Sequence, residues 1–160
     1  MITLTRRYHF SASHRLHSDA LDAAENARFY GKCNNPFGHG HDYALEVTVA
    51  GNADPVSGLI VPIAALDRFI EEKILRLFAH RNINLDVPQF ARLVPTTENL
   101  AIVMAALLQE HWPGSFDQMG ARPVRIHIQE TGRNGFELLL GKRTHVSAHD
   151  RQKESVTVHV

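Results

Sequence analysis

The stretch Gly31-Lys32-Cys33-Asn34-Asn35-Pro36-Phe37-Gly38-His39-Gly40-His41 holds the residue types best suited to chemistry in this chain. Cys33 is the only cysteine, and it stands six residues before the pair His39-x-His41. In an extended segment the side chains at i and i+2 point to the same side, so the two imidazoles can converge on one ion. Gly38 and Gly40 would leave room for an ion or a substrate to approach the backbone. Zinc takes imidazole nitrogen readily, and a catalytic zinc site uses three protein ligands plus one open position. The pair therefore asks for a third ligand from elsewhere. A plainer reading is that Asn34-Asn35-Pro36 is turn chemistry ahead of a strand with surface histidines. Structural zinc sites usually bring cysteines in pairs, so a single cysteine reads better as a nucleophile or general base than as a ligand.

The elements that must position these residues follow from periodicity. Ile2, Leu4, Tyr8 and Phe10 alternate with Thr3, Thr5, Arg7 and His9, the pattern of a half-buried strand. Continued, the alternation puts Ala12 and His14 on the Phe10 side, with His14 at the edge of the apolar face. Asp19 to Tyr30 reads as a loop or one short helix. Tyr43, Leu45, Val47 and Val49 mark a second strand, with His39 and His41 at its start. Gly51 to Pro55 is a turn, and Leu59–Val61 is expected to form a short third strand.

Ile63, Leu66, Ile70, Ile74, Leu77 and Phe78 recur at helical steps, with Glu71 and Glu72 on the solvent side. His80 to Pro88 forms a polar connection. Thr96 or Thr97 is a natural N-cap for a second helix, Glu98 lies in its first turn, and Pro113-Gly114 closes it. Val124, Ile126 and Ile128 alternate in another strand whose same face then presents Glu130. The turn Gly132-Arg133-Asn134-Gly135 leads into Phe136, Leu138 and Leu140, making a hairpin. Strands and helices in separate runs indicate an α+β fold, an antiparallel sheet with helices on one face. Residues 1–142 form one domain; 143–160 are a polar tail, either an added strand or disordered.

Composition narrows the function classes. The 160 residues are 44% hydrophobic and 21% charged, enough for one domain with its own core. Seventeen basic and seventeen acidic residues cancel, so bulk charge makes no case for nucleic acid or an anionic membrane as partner. No apolar run reaches membrane-spanning length and the first residues are no signal peptide. One cysteine suits a reducing compartment, and the cytoplasm is the expected location.

Four segments together resemble a known family. Phe10-Ser11-Ala12-Ser13-His14, Cys33-Asn34-Asn35-Pro36-x-Gly38-His39-Gly40-His41, Thr96-Thr97-Glu98-Asn99 and Gln129-Glu130-Thr131 resemble the 6-pyruvoyl-tetrahydropterin synthases, whose bacterial relatives include 6-carboxytetrahydropterin synthase of queuosine biosynthesis. The resemblance runs from about Leu4 to Lys142. It implies a tunnelling fold, a four-stranded antiparallel sheet backed by two helices. Such chains assemble as an oligomeric barrel, typically a homohexamer (a dimer of trimers) with active sites at subunit interfaces. By position it makes His14, His39 and His41 the zinc ligands, Cys33 and His80 the catalytic pair, and Glu130 the anchor of the pterin ring. Glu98 falls in a motif near the pterin pocket. The family usually has Asp immediately before the catalytic histidine, where this chain has Ala79; Asp42 and Asp86 are possible substitutes.

The resemblance implies a lyase of tetrahydrobiopterin biosynthesis that turns 7,8-dihydroneopterin triphosphate into 6-pyruvoyltetrahydropterin with loss of triphosphate. The spacing from Cys33 to the histidine pair resembles the pyruvoyl synthases, the carboxy synthases placing their cysteine closer. Three classes remain open: a zinc-dependent pterin lyase, a Cys-His nucleophilic hydrolase, and a non-catalytic pterin- or metal-binding oligomer. The hydrolase leaves the His-x-His pair without a task. The altered position at Ala79 keeps the non-catalytic class in play. Arg15, Lys32 and Arg133 lie near the motifs as cations without an assigned role.

Overall fold

The computed structural model describes residues 1–141, so the tail over 143–160 lies outside the described residues. Strands β1 (Ile2–His14) and β2 (His39–Gly51) form one long antiparallel ladder running from Ile2 opposite Gly51 to His14 opposite His39. Strand β3 (Arg81–Asn82) adds two residues in parallel to β1, at Ala12 and Ser13. On the other side β4 (Arg122–Gln129) pairs with β2, and β5 (Gly135–Leu139) returns along β4 as the expected hairpin. The order is β3-β1-β2-β4-β5, four antiparallel strands with a short parallel addition at one edge.

The period-two reading holds along β1 and β2. Phe10, Ala12, Tyr43, Leu45, Val47 and Val49 are buried on one face, joined by Ile126 and Ile128 from β4. Each of these large side chains contributes roughly 1.5–3 kcal/mol by leaving water. The opposite face is polar: Thr5 meets Thr48 at 2.9 Å, Ser11 meets Asp42 at 2.5 Å, and Arg125 bridges Glu46 and Glu137.

Two helices share the core with the sheet. Helix α1 (Ala23–Tyr30) precedes them in the chain and is started by a reciprocal capping box between Asp22 and Glu25. Helix α2 (Ile63–Ile70) buries Leu66, Phe69 and Ile70, widens into a π turn over Glu71–Leu75, and ends over Arg76–Phe78. Helix α3 (Thr97–His111) is capped by Thr96, whose hydroxyl accepts from the Asn99 N–H, and buries Leu100, Val103, Met104, Leu107 and Leu108. No helix among the described residues is long and apolar enough to cross a membrane.

One expectation is corrected. Leu59–Val61 is not a strand: the Asp54 N–H donates to the Leu59 carbonyl and closes a loop, and Ile60 and Val61 bury as loop anchors. Three apolar residues in a row carry too little periodicity to tell a strand from such an anchor. The second helix closes where expected, at His111 with Trp112 as its C-cap just before Pro113-Gly114. After α3 stops at His111, a further turn over Pro113–Phe116 places Trp112 and Phe116 against Phe69, with ring centroids 5.6 and 5.4 Å away. Proline lacks an N–H that a first helical position does not need, so it restarts a turn as easily as it stops one.

Candidate functional site

The apolar rows of β1 and β2 end in imidazoles. His14 lies opposite His39 in the ladder and Ala12 opposite His41, so the alternation that buries Phe10 and Tyr43 brings the three histidines together. Their ligand nitrogens lie within 4.8 Å of one another, and His14 Nε2 is 3.3 Å from His39 Nε2. Three donors at the usual zinc–nitrogen length in a tetrahedral arrangement stand about 3.3–3.4 Å apart. The His14 Nδ1–H donates to the Pro95 carbonyl at 2.8 Å, and the Tyr43 hydroxyl is 3.4 Å from the same nitrogen. That bond fixes the tautomer and leaves the Nε2 lone pair facing the cluster. His41 Nε2 and His39 Nδ1 are buried without a hydrogen-bond partner among the described residues.

These residues fit a zinc ion. Burial pushes the pKa of His14 down, and burial followed by the charge of His41 does the same to His39. Both shifts favour neutral imidazoles with lone pairs free for a cation. An orphaned ring nitrogen among other ring nitrogens is costly in the protein alone and satisfied by a metal.

A turn of chain holds His39 in place. Gly38 has φ of 68°, and a Cβ there would sit 2.7 Å from the His14 carbonyl oxygen. The close approach expected at this glycine is therefore made by the backbone of β1. Gly40 meets only an ordinary contact, 3.5 Å from the Ala12 carbonyl. Cys33 rides on a 3₁₀ turn, Gly31–Asn34, that is tied to the segment after His14. Its carbonyl accepts from the Leu16 N–H at 2.9 Å, and Asn34 Nδ2 donates to the Leu16 carbonyl at 2.7 Å. Cys33 is half-buried; burial, then the charge of Glu130, push its thiol above the ordinary value, with Lys32 opposing.

Glu130 closes the cluster from β4. Its Oε1 lies 3.7 Å from His14 Nε2 and 3.8 Å from His41 Nε2, with the side chain 13% exposed. Thr97 Oγ1 donates to that same oxygen at 2.9 Å. Thr97 is buried at the start of α3, and a sequence reading alone treats it only as a capping residue. The Thr96-Thr97-Glu98 motif pointed to this region. Within it the buried hydroxyl of Thr97 makes the contact, while Glu98 is exposed and makes no hydrogen bond to the cluster. Pro95 and Tyr43 also touch His14, and no motif signals either contact, because one is a backbone carbonyl and the other a tyrosine of the apolar row.

His80 stands elsewhere. It is exposed at the end of α2, and its N–H donates to the Ser11 carbonyl at 2.7 Å. It lines a recess of about 390 Å³ with Ser11, Ser13, His41 and Asp42, and a neighbouring one of about 550 Å³ with His9, Asp42 and Glu71. Ser11 and Asp42 alternate with the core row, so this is the polar side of the sheet. Among the described residues no hydrogen bond joins His80 to Cys33. A further cavity of about 590 Å³ adjoins the histidine loop and presents Arg15, His17 and Arg92 beside Gly38.

Comparison with known proteins agrees with this geometry. The model of the family described as 6-pyruvoyl tetrahydropterin synthase matches residues 3–139. A 6-pyruvoyl tetrahydrobiopterin synthase of Poecilia reticulata is 47% identical over 131 residues, 82% of this chain and 85% of the relative. The Homo sapiens protein of that name is 47% identical over 110 residues, 69% and 76% of the two chains. Among solved structures, the Caenorhabditis elegans 6-pyruvoyl tetrahydropterin synthase superposes with a TM-score of 0.78 at 37% identity, over 88% of this chain and 96% of that one. A three-histidine cluster anchored by the buried His14 and closed by Glu130, on a sheet with this topology and with relatives this near, makes the chain a member of the 6-pyruvoyl tetrahydropterin synthase family.

Proposed function

We propose that this protein is a zinc-dependent lyase that converts 7,8-dihydroneopterin triphosphate to 6-pyruvoyltetrahydropterin with elimination of triphosphate. The single observation that carries this reading is the convergence of His14, His39 and His41 beside Glu130 and near Cys33. The relatives' names select the pyruvoyl product over the carboxy product of the queuosine branch.

The three histidines would hold the zinc, which when bound would polarise the substrate's side-chain oxygens as a Lewis acid. Cys33 is the general base for the side-chain carbon proton. Burial and then Glu130 raise its pKa, and His80 would draw the thiol toward thiolate. Glu130 accepts from the pterin's ring N–H and amino groups and sets the ring against the histidine cluster, with Thr97 fixing the carboxylate. Arg15 and Arg92 in the adjoining cavity suit the anionic triphosphate.

Among the described residues no hydrogen bond joins Cys33 to His80, and the reading has the two meet across a subunit boundary. An oligomer, expected to be a hexamer, follows as part of the proposal. The test is turnover of 7,8-dihydroneopterin triphosphate by zinc-loaded and metal-stripped protein, with the product identified and triphosphate counted. Release of triphosphate and 6-pyruvoyltetrahydropterin by the loaded form alone is expected. A carboxy product, turnover without metal, or no turnover at all overturns the reading.

A further inference from the structure

The cavity of about 590 Å³ beside Gly38 has firmly held polar walls. Asn84 clamps the backbone of Arg15 from both sides, accepting from its N–H at 2.8 Å and donating to its carbonyl at 3.0 Å. Arg15 and Arg92 both line the cavity, and neither forms an ion pair among the described residues. Unneutralised cations around a concave surface attract an anion. His17 lines the same cavity with its side chain one-third exposed.

Two groups that can only donate fix the His17 ring. Asn34 Nδ2 lies 3.0 Å from His17 Nδ1 and 2.7 Å from the Leu16 carbonyl, and the carbonyl identifies that amide atom as the nitrogen. Arg15 Nη2 is 3.3 Å from the same Nδ1. Nδ1 is therefore an acceptor, and the ring proton sits on Nε2. Nε2 makes no hydrogen bond among the described residues; the Asp19 carboxylate stands 3.5 Å away on a side chain fully exposed to solvent. Asp19 lines the cavity and Asn34 does not, so the N–H edge of His17 is the one turned toward it.

We infer that His17 is a binding residue for the triphosphate, donating its Nε2–H to a phosphate oxygen while Arg15 and Arg92 supply the charge. This rests on the reading of the substrate as a pterin triphosphate. Two guanidinium groups attract any polyanion, whereas a donor held in one tautomer fixes where an oxygen must sit. The group it holds is remote from the carbon proton that Cys33 removes, so its contribution falls on binding more than on the chemical step.

The test titrates inorganic triphosphate, and separately 7,8-dihydroneopterin (the pterin without phosphates), into the zinc-loaded parent, His17→Phe and His17→Gln. Calorimetry reads both affinities, and zinc content is checked after each titration. Phenylalanine keeps a ring and removes the donor, whereas glutamine restores an N–H at similar reach. His17→Phe should bind triphosphate roughly tenfold more weakly and 7,8-dihydroneopterin as the parent does. His17→Gln should recover most of the loss. KM for the triphosphate substrate should rise by the same factor with kcat little changed. Ring-nitrogen NMR shifts of His17 in the parent should report the Nε2–H tautomer and should move when triphosphate is added.

Parental triphosphate affinity in His17→Phe, an equal loss for 7,8-dihydroneopterin, or an Nδ1–H tautomer would overturn the inference. So would a fall in kcat at unchanged KM. A parent that binds triphosphate through His17 yet releases none from 7,8-dihydroneopterin triphosphate would sink the proposed function and leave His17 assigned to a polyphosphate site. A parent that turns the substrate over without binding inorganic triphosphate would do the reverse.

Discussion

The Nδ1–H of His14 donates to the Pro95 carbonyl at 2.8 Å, and this bond decides which nitrogen of His14 faces its two neighbours. With Nδ1 engaged, Nε2 stands 3.3 Å from His39 Nε2, a spacing suited to one shared cation. About one zinc per chain is therefore expected. Replacing His14, His39 or His41 by Ala should abolish it, as measured by elemental analysis after dialysis. Full occupancy in His14→Ala would remove the third ligand from the scheme.

Glu130 and Thr97 form one unit. Glu130→Gln should raise KM for the pterin while zinc stays bound, since the amide no longer matches the ring's donors. Thr97→Val removes the 2.9 Å bond while keeping the buried shape. A hydrogen bond to a charged group contributes about 1.5–3 kcal/mol, so Thr97→Val should weaken pterin binding at least severalfold. Titration calorimetry with a pterin product separates the two variants. Parental affinity in both would make Glu130 a purely structural carboxylate.

Cys33→Ser should keep its zinc and lose turnover by roughly 10²–10⁴-fold, the usual contribution of a positioned general base. Mixing inactive Cys33→Ser with inactive His80→Ala subunits should recover part of the activity. Cys33 and His80 share no hydrogen bond among the described residues, and recovery in mixed oligomers is the outcome that the proposed pairing across subunits requires. Mixed oligomers without recovered activity would place both residues in one subunit's site.

Gly38→Ala should be costly for a local reason. A Cβ at φ of 68° would meet the His14 carbonyl at 2.7 Å, with backbone on both sides and little room to shift. A loss of about 1–3 kcal/mol in unfolding free energy is expected, together with weaker zinc binding because His39 is the next residue. Denaturant melts with and without metal will show both effects. Equal stability would mean that the loop can move away from β1.

Far from the cluster, Arg6 and Tyr8 both donate to Asp67, at 2.6–2.9 Å. The Arg6 bonds, opposed by burial and helped by Tyr8, hold the Asp67 pKa below its ordinary value. A carboxylate depressed in the folded state stabilises above its unfolded pKa of about 3.9, and the effect disappears as pH falls through the lower folded value. Asp67→Asn should therefore cost about 0.2–1 kcal/mol near neutral pH, the scale of a solvent-screened pair. The gap between the two proteins' melting temperatures should close below about pH 4. A gap that persists there would show a packing role instead of an electrostatic one.

The amino-acid sequence alone determined most of the elements and which three histidines come together. Alternation along Ile2–His14 and Tyr43–Val49 determined both strands and which way His14, His39 and His41 point, because a period of two leaves one choice once the core side is known. Helical spacing did the same for α2 and α3. The motifs named Cys33 and Glu130. Tertiary structure decided what depends on residues distant in sequence. It set the His14–Pro95 bond across 81 positions and the Thr97–Glu130 bond across 33. It also buried Leu59–Val61 as a loop and left Glu98 exposed beside a buried Thr97. It placed His80 in a recess with Ser11, His41 and Asp42, with no hydrogen bond to Cys33 among the described residues. Periodicity reports which face a side chain takes, whereas the partner it meets there is set by how separate elements pack, and local pattern carries no record of that.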